Sequence, residues 1–152
     1  MKLFDFGLAK ELQTKDLINV DQYKASGRTG TRRYMSPENA LCKPYGKPTD
    51  VYSFGILLWE ILALERPFNK LSHEAHAKEI IMNGKRPQIP KKWPVYIKTV
   101  ISESWADDPS KRPDFQRICS ILKGQLVEAD YIVSNRTRHL LDTSLTTREL
   151  HC

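Results

Sequence analysis

Apolar residues follow helical spacing over most of the chain after residue 48, and this pattern predicts a mainly helical fold. From Val51 to Leu64 they cover nearly every side of a helix, which is typical of a buried helix. At about 14 residues this segment is too short to span a membrane. Pro48-Thr49-Asp50 should cap its N-terminus, and Pro67 should lie beyond its end because proline cannot continue the helical hydrogen bonds.

Weaker helical patterns follow this segment. An amphipathic helix is predicted over residues 72–83, with Asn83-Gly84 as its end, and the prolines of residues 85–90 predict an extended stretch. The next helix carries apolar residues at helical spacing, namely Ile97, Val100, Ile101 and Trp105. Pro113 is expected at the first position of a last helix. The apolar stripe of that helix comprises Phe115, Ile118, Ile121, Leu122 and Leu126.

Two segments lack a clear period. Residues 8–37 are rich in Lys, Thr, Ser and Gly, and this composition predicts one long mobile loop. A loop of that length inside a compact domain is uncommon unless it is functional. After Tyr131 the chain is rich in Ser, Thr and Arg, and we expect a tail there.

Composition narrows the class of protein. The 152 residues suffice for one domain with a core, and 40% hydrophobic with 28% charged residues is typical of a soluble globular protein. Cys42, Cys119 and Cys152 form no metal-binding or redox spacing, so we expect free thiols in a reducing compartment, the cytoplasm. The net charge of +6 is dispersed along the chain, which argues against a nucleic-acid partner. Neither a signal peptide nor an apolar run of about 18 residues is present, so no membrane partner is expected.

Four strings contain the residues with the clearest chemistry. Asp5-Phe6-Gly7 places a carboxylate on a short turn, where it can bridge Mg²⁺ to nucleotide phosphates, and Gly7 lets the backbone turn. This tripeptide alone is weak evidence, because any given tripeptide turns up by chance in roughly 2% of chains of this length. Three longer strings follow it in order: G-T-R-R-Y-M-S-P-E over residues 30–38, D-V-Y-S-F-G over 50–55 and W-A-D-D-P-S-K-R-P over 105–113.

In this order the strings resemble the second half of a protein kinase domain. Thr31 together with Arg86-Pro87 and the string at 105–113 is similar to the tyrosine-kinase-like group of serine/threonine kinases. The resemblance implies a mainly α fold, the helical C-lobe of a kinase. It divides the chain into a C-lobe over residues 1–127 and a C-terminal tail over 128–152. Within the C-lobe, an activation segment covers residues 5–38 and a helical subdomain covers residues 49–127.

The resemblance also implies an activity, which is transfer of the γ-phosphoryl group of ATP to a Ser or Thr of a protein substrate. Asp5 would bind Mg²⁺, with Phe6 and Gly7 completing the cofactor-binding turn. The substrate would be positioned by Gly30, Thr31, Tyr34 and Pro37. A threonine at the place of Thr31 implies Ser/Thr rather than Tyr as the acceptor.

Further residues receive structural or regulatory roles from the same resemblance. Glu38 and Arg112 are expected to form a buried ion pair. Asp50 is expected to be a buried acid at the start of a helix, with a raised pKa because the catalytic loop that supplies its hydrogen-bond donors is not among these residues. Ser26 and Thr29 are candidate phosphorylation sites, since nearby arginines could pair with a phosphate. Ser36 stands where the family usually has alanine.

The 152 residues contain no glycine-rich loop, no nucleotide-binding lysine and no H-R-D catalytic base. We therefore expect a fragment or a partial gene model, inactive on its own, with ATP and Mg²⁺ as cofactors of the complete domain. An alternative is a non-catalytic protein-binding module derived from a kinase C-lobe. A third and weaker interpretation is a nucleic-acid-binding protein. An upstream reading frame that encodes H-R-D would favour the first, and the sequence predicts no oligomeric state.

Overall fold

A computed structural model describes residues 6–20, 22–24 and 30–126 of the chain. This part is mainly helical, as predicted, and none of its helices is both long and apolar enough to cross a membrane. The helices are α1 (Pro37–Ala40), α2 (Pro48–Ala63), α3 (His73–His76), α4 (Val95–Ser104) and α5, residues 115–126. The chain divides into two compact units, Met1–Phe115 and Gln116–Cys152. The predicted tail, residues 128–152, lies outside the described residues.

The longest helix, α2, begins close to its predicted position but without the predicted cap. Pro48 occupies the first turn, where its missing N–H costs nothing. The preceding residue, Lys47, makes no side-chain hydrogen bond to the helix, so the expectation of a capping side chain was wrong. The helix ends at Leu64, which takes a left-handed conformation with φ of 54°.

Only one face of α2 is buried, contrary to the prediction that the helix is buried on all sides. Its buried residues are Thr49, Val51, Tyr52, Gly55, Ile56 and Trp59. On the other side, Leu57, Ile61 and Leu62 are 39%, 48% and 41% exposed. The physical reason is that the described segments of this chain pack against one side of the helix. An apolar pattern on all sides therefore did not produce burial on all sides.

The described residues between 8 and 37 contain short regular elements, whereas the sequence predicted a single loop. A 3₁₀ turn at Thr14–Asp16 precedes an antiparallel hairpin of β1 (Leu17–Asn19) and β2 (Gln22–Tyr23). Tyr23 also exchanges backbone hydrogen bonds of 3.0 and 3.3 Å with Tyr45, which attaches the hairpin to the start of the helical part. A second 3₁₀ turn covers Arg32–Tyr34. The apolar residues at 17, 18 and 20 are the short strand signal that the loop prediction overlooked.

The helix predicted over residues 72–83 is present, but its second half is wound differently. Ser72 caps α3 by accepting a hydrogen bond of 3.2 Å from the backbone N–H of Ala75. The helix continues as a π-helix over Ala77–Met82. It stops at Gly84, whose φ of 65° is the left-handed conformation that glycine adopts without strain.

Helix α5 begins two residues later than predicted. Residues 113 and 114 are not helical, so Pro113 precedes the helix instead of occupying its first position. The predicted apolar stripe is only partly buried, because Ile118 is shielded from solvent whereas Phe115 and Leu126 are exposed.

The core of the first unit lies between α2 and α4. It is a cluster of buried residues from these two helices and the turn after α4, namely Tyr52, Ile56, Trp59, Ile101 and Trp105. Gly55 lies where the two helices are closest, since a Cβ atom there would be only 2.7 Å from the Cβ of Ser104. The absence of a side chain at Gly55 therefore permits the helix packing on which the core depends.

A buried ion pair joins α1 to the turn after α4. Arg112 donates two hydrogen bonds to Glu38, from Nη1 to Oε1 at 2.7 Å and from Nη2 to Oε2 at 3.0 Å. The guanidinium also donates to the backbone carbonyls of Ala106 and Pro48 at 2.9 and 3.0 Å. The arginine side chain is completely buried and that of Glu38 is 9% exposed. Partners on all sides offset the cost of removing both charges from water.

The ion pair also sets the ionisation of Glu38. Burial by itself would raise the pKa of this carboxyl group, but the hydrogen bonds and positive charge of Arg112 outweigh it and the pKa lies below its ordinary value. Glu38 is therefore charged at neutral pH, and its charge contributes to the stability of the folded state.

We expect Gly55→Ala to lower the free energy of unfolding by about 1–3 kcal/mol, because the added methyl group would overlap Ser104 between two packed helices. Gly124→Ala is the matched control, since it is also a helical glycine but no atom lies within 4 Å of the added Cβ. The control should raise stability by up to about 1 kcal/mol through helix propensity. Urea denaturation followed by circular dichroism measures both. A Gly55→Ala chain as stable as the parent would contradict the close packing.

Replacing Arg112 by Met should lower the free energy of unfolding at neutral pH by about 3–5 kcal/mol, because it leaves the carboxylate of Glu38 buried without its partner. Lys85→Met is the control, since it removes an exposed cation 4.0 Å from Glu79. Such a surface pair contributes no more than about 1 kcal/mol. Equal losses for the two variants would show that the buried pair has no special role.

The pH dependence of stability should follow the lowered pKa of Glu38. The stabilisation is fully present above the unfolded-state pKa, about 4.5, and is lost as the pH falls through the lower folded-state pKa. The parent chain should therefore lose more stability than Glu38→Gln on acidification below about pH 4.5. Parallel urea titrations at several pH values test this, and identical pH profiles would refute it.

Candidate functional site

The Asp-Phe-Gly turn is described only from its second residue. Asp5, the predicted metal ligand, lies outside the described residues. Phe6 is 70% exposed, and its carbonyl accepts a backbone hydrogen bond of 3.0 Å from Ala9, which closes a tight turn through Gly7. Across the described part of the chain no three His, Cys, Asp or Glu side chains are grouped so that they could hold a metal ion. The metal and nucleotide roles of this turn therefore remain predictions.

The substrate segment, residues 30–38, is shaped by its first residue. Gly30 has φ of 104°, a conformation that residues with a side chain rarely adopt. No atom lies within 4 Å of the position of a Cβ there, so the backbone conformation and not crowding requires glycine. Thr31 follows with extended backbone angles, immediately before the 3₁₀ turn Arg32–Tyr34. Its side chain is exposed and makes no hydrogen bond to the described residues, so the hydroxyl is free to contact another molecule.

Tyr34 attaches the substrate segment to α2. Its hydroxyl donates a hydrogen bond of 2.6 Å to Oε2 of Glu60, and its backbone carbonyl accepts one of 2.8 Å from the hydroxyl of Ser53. Partial burial, together with the hydrogen bond to Glu60 and its negative charge, raises the pKa of Tyr34, so the hydroxyl stays protonated as a donor. Two points on one helix thus fix this tyrosine.

Pro37 lies in the first turn of α1. Two buried hydroxyl groups, those of Ser36 and Thr49, lead from the start of this helix to the carboxylate of Glu38. Ser36 caps α1 through a long hydrogen bond of 3.5 Å from the N–H of Asn39. The hydroxyl of Ser36 lies 3.5 Å from that of Thr49, which donates a bond of 3.0 Å to Oε1 of Glu38. The departure from alanine at Ser36 is thus accommodated, because its hydroxyl has partners where it is buried.

Asp50 does not have the environment that the sequence led us to expect. It is exposed at the start of α2, so the expectation of a buried acid was wrong. Its carboxylate has no hydrogen-bond donor among the described residues, and surrounding protein atoms still raise its pKa by partial desolvation. The direction of the pKa agrees with the expectation for an acid without donors.

Positive charge surrounds the substrate segment. Arg32 is exposed, while Arg33 donates a hydrogen bond to the carbonyl of Pro67. His76 packs edge-on against Phe68, with ring centroids 5.3 Å apart. Burial, followed by the charges of Arg33 and Arg32, lowers the pKa of His76. The candidate phosphorylation sites Ser26 and Thr29 lie outside the described residues.

The structure brings Gly30, Thr31, Tyr34 and Pro37 into one continuous segment held between α1 and α2. Sequence reasoning missed the residues that support it, Ser53, Glu60 and Thr49. Ser53 and Glu60 are 19 and 26 residues from Tyr34, and no local sequence pattern predicts contacts at such separations. These contacts hold the segment at several points along α2.

Comparison with known proteins gives a consistent family. The family model described as protein tyrosine and serine/threonine kinase matches residues 1–122. The dual specificity protein kinase shkB of Dictyostelium discoideum is 37% identical over 122 residues, which are 78% of this chain and 18% of that protein. The serine/threonine/tyrosine-protein kinase HT1 of Arabidopsis thaliana is 36% identical over 123 residues, 81% of this chain and 30% of that protein.

A third relative has a similar match over more of the chain. The serine/threonine-protein kinase STY17 of Arabidopsis thaliana is 32% identical over 139 residues, 91% of this chain and 23% of that protein. The chain thus spans less than a third of the length of these curated relatives. The matched region contains the substrate segment, the Glu38–Arg112 pair and helices α1 to α4. The chain therefore belongs to the family of protein tyrosine and serine/threonine kinases, with relatives of the tyrosine-kinase-like type.

Proposed function

We propose that the chain forms the substrate-positioning part of a protein kinase domain that transfers the γ-phosphoryl group of ATP to Ser or Thr of a protein. The observation that carries the proposal is the exposed hydroxyl of Thr31 on a segment that Tyr34 attaches to α2. A rigidly held segment can keep an acceptor hydroxyl in a reactive geometry, and positioning is a large part of phosphoryl-transfer catalysis.

Two of the relatives have names that include tyrosine or dual specificity, so the acceptor class needs its own support. The support for Ser/Thr is the threonine at position 31 in place of a proline-containing segment. Arg32 and Arg33 next to it add positive charge, which would favour substrates with acidic residues beside the acceptor.

ATP and Mg²⁺ enter the proposal through Asp5-Phe6-Gly7. In the complete domain Asp5 would hold Mg²⁺, and the bound ion neutralises negative charge on the nucleotide phosphates. Gly7 lies in the tight turn that Phe6 and Ala9 close. The exposed thiols of Cys42 and Cys119 support a reducing location such as the cytoplasm. Phosphorylation at Ser26 or Thr29 would add a charge that the neighbouring arginines could pair with.

We expect no phosphoryl transfer by the 152 residues alone, because they contain no H-R-D base and no nucleotide-binding lysine. Fusion to the N-lobe and catalytic loop of a related kinase should produce Ser/Thr kinase activity. In that fusion Asp5→Asn should abolish transfer, since a neutral amide binds Mg²⁺ poorly, and Thr31→Ala should reduce it. Ser102→Ala is the control, since it removes an exposed hydroxyl on α4, outside the activation segment, and it should leave activity unchanged.

The experiment measures transfer of ³²P from ATP to an acidic protein substrate that contains Ser, Thr and Tyr, followed by phosphoamino-acid analysis. Mainly phosphotyrosine would refute the Ser/Thr class. Transfer by the 152 residues alone that is lost in Asp5→Ala would refute their inactivity. A fusion that folds and binds ATP but never transfers phosphate would favour the alternative, a non-catalytic protein-binding module.

A further inference from the structure

A groove of about 860 Å³ lies at the C-terminal end of α2, next to the loop whose Pro67 carbonyl accepts a hydrogen bond from Arg33. Its walls are the end of α2, the loop over residues 65–71 and the extended stretch over residues 85–93. This volume is within the range of sites that bind ligands. The groove belongs entirely to the first compact unit, and none of the roles discussed above uses it.

The floor of the groove is apolar and fixed in place. Trp59 is 7% exposed, and its indole N–H donates a hydrogen bond of 3.0 Å to the carbonyl of Gln88, which holds one wall against α2. Trp93, Phe68 and Pro87 complete this part of the lining. Phe68 has φ of 57°, an uncommon conformation for a bulky residue, so its surroundings hold it there. A fixed apolar floor can receive a side chain with little loss of conformational freedom.

The groove is mainly positively charged. Five cationic residues line it against the single carboxylate of Glu65, namely Arg66, Lys70, Lys85, Arg86 and Lys92. Arg86 is already engaged by Asp107 and by backbone carbonyls, and Lys85 lies 4.0 Å from Glu79. Among the described residues, Arg66, Lys70 and Lys92 have no hydrogen-bond or ion-pair partner. Three cations are therefore free to pair with negative groups on another molecule.

We propose that this groove binds an acidic peptide segment of a partner protein, with one apolar side chain of that segment inserted between Phe68 and Trp93. The charge complementarity argues for carboxylates at the rim, and the floor argues for an apolar anchor. Single-stranded nucleic acid fits less well, because its bases stack on successive aromatic rings. Trp59 is buried and Phe68 packs edge-on against His76. Among the described residues of the lining, Trp93 is therefore the one aromatic ring with neither restriction. The inference is independent of the proposed catalytic function and stands even if the chain transfers no phosphate.

The test uses the 152-residue chain and a short fluorescent peptide of Asp and Glu residues around a central Leu. Anisotropy titration should show saturable binding that weakens as salt is added. Replacing the Leu by Ser, or the acids by Asn and Gln, should weaken binding. The double variant Lys70→Glu/Lys92→Glu should weaken it roughly tenfold, as expected for the loss of two charge pairs. Lys43→Glu/Lys111→Glu is the matched control, because it reverses two exposed lysines that do not line the groove.

A second measurement needs no variant. Carbodiimide cross-linking of the peptide carboxylates to the parent chain, mapped by mass spectrometry, should label Lys70 and Lys92 in preference to Lys43 and Lys111. Equal labelling of the four lysines, or equal weakening by the two double variants, would overturn the proposal. So would the absence of binding, or a single-stranded oligonucleotide that binds more tightly and displaces the peptide.

Discussion

Glu38 and Arg112 are 74 residues apart, and their ion pair connects α1 to the turn that follows α4. Glu38 lies in the first turn of α1, as the last residue of the substrate segment, and Arg112 lies in the turn between α4 and α5. A buried ion pair adds little net stability to the folded state, because desolvation offsets the attraction. Removing one partner is costly, because the other charge then stays buried without a partner. That cost, about 3–5 kcal/mol, is a large part of the 5–15 kcal/mol that stabilises an ordinary domain. The pair therefore makes the position of the substrate segment depend on the helical core.

The core in turn supports the pair through Tyr52. Its ring lies 5.0 Å from the guanidinium carbon of Arg86 and 5.1 Å from that of Arg112, so one buried aromatic residue contacts both arginines. Burial raises the pKa of Tyr52 to about 12, with the two nearby arginines acting in the opposite direction, and the ring remains neutral. Arg86 also binds Asp107 and the carbonyl of Trp105. Helix α2 thus packs against both charged residues with the same face that forms the apolar core.

The sequence predicted structural features that follow from local repetition, but it did not predict those that depend on contacts between distant residues. The spacing of Val51, Ile56 and Trp59 predicted the bounds of α2 to within a few residues, since helical periodicity is visible in the sequence alone. The same pattern misplaced burial at Ile61 and Leu62, because periodicity does not reveal which face meets a neighbour. The π-helix at Ala77–Met82 was missed because it keeps an apolar face similar to that of an α-helix.

The same distinction between local patterns and distant contacts applies to the candidate site. Its motif residues, from Gly30 to Pro37, were identified by resemblance, whereas the supports at Ser53 and Glu60 are long-range contacts. Those supports lie on α2, and the groove is built on the C-terminal end of the same helix, where Trp59 precedes Glu60. The two surfaces meet where Arg33, in the substrate segment, donates to the carbonyl of Pro67, next to the loop residues that wall the groove. One rigid helix and one hydrogen bond to the loop after it therefore hold both surfaces, and the position of each constrains the other.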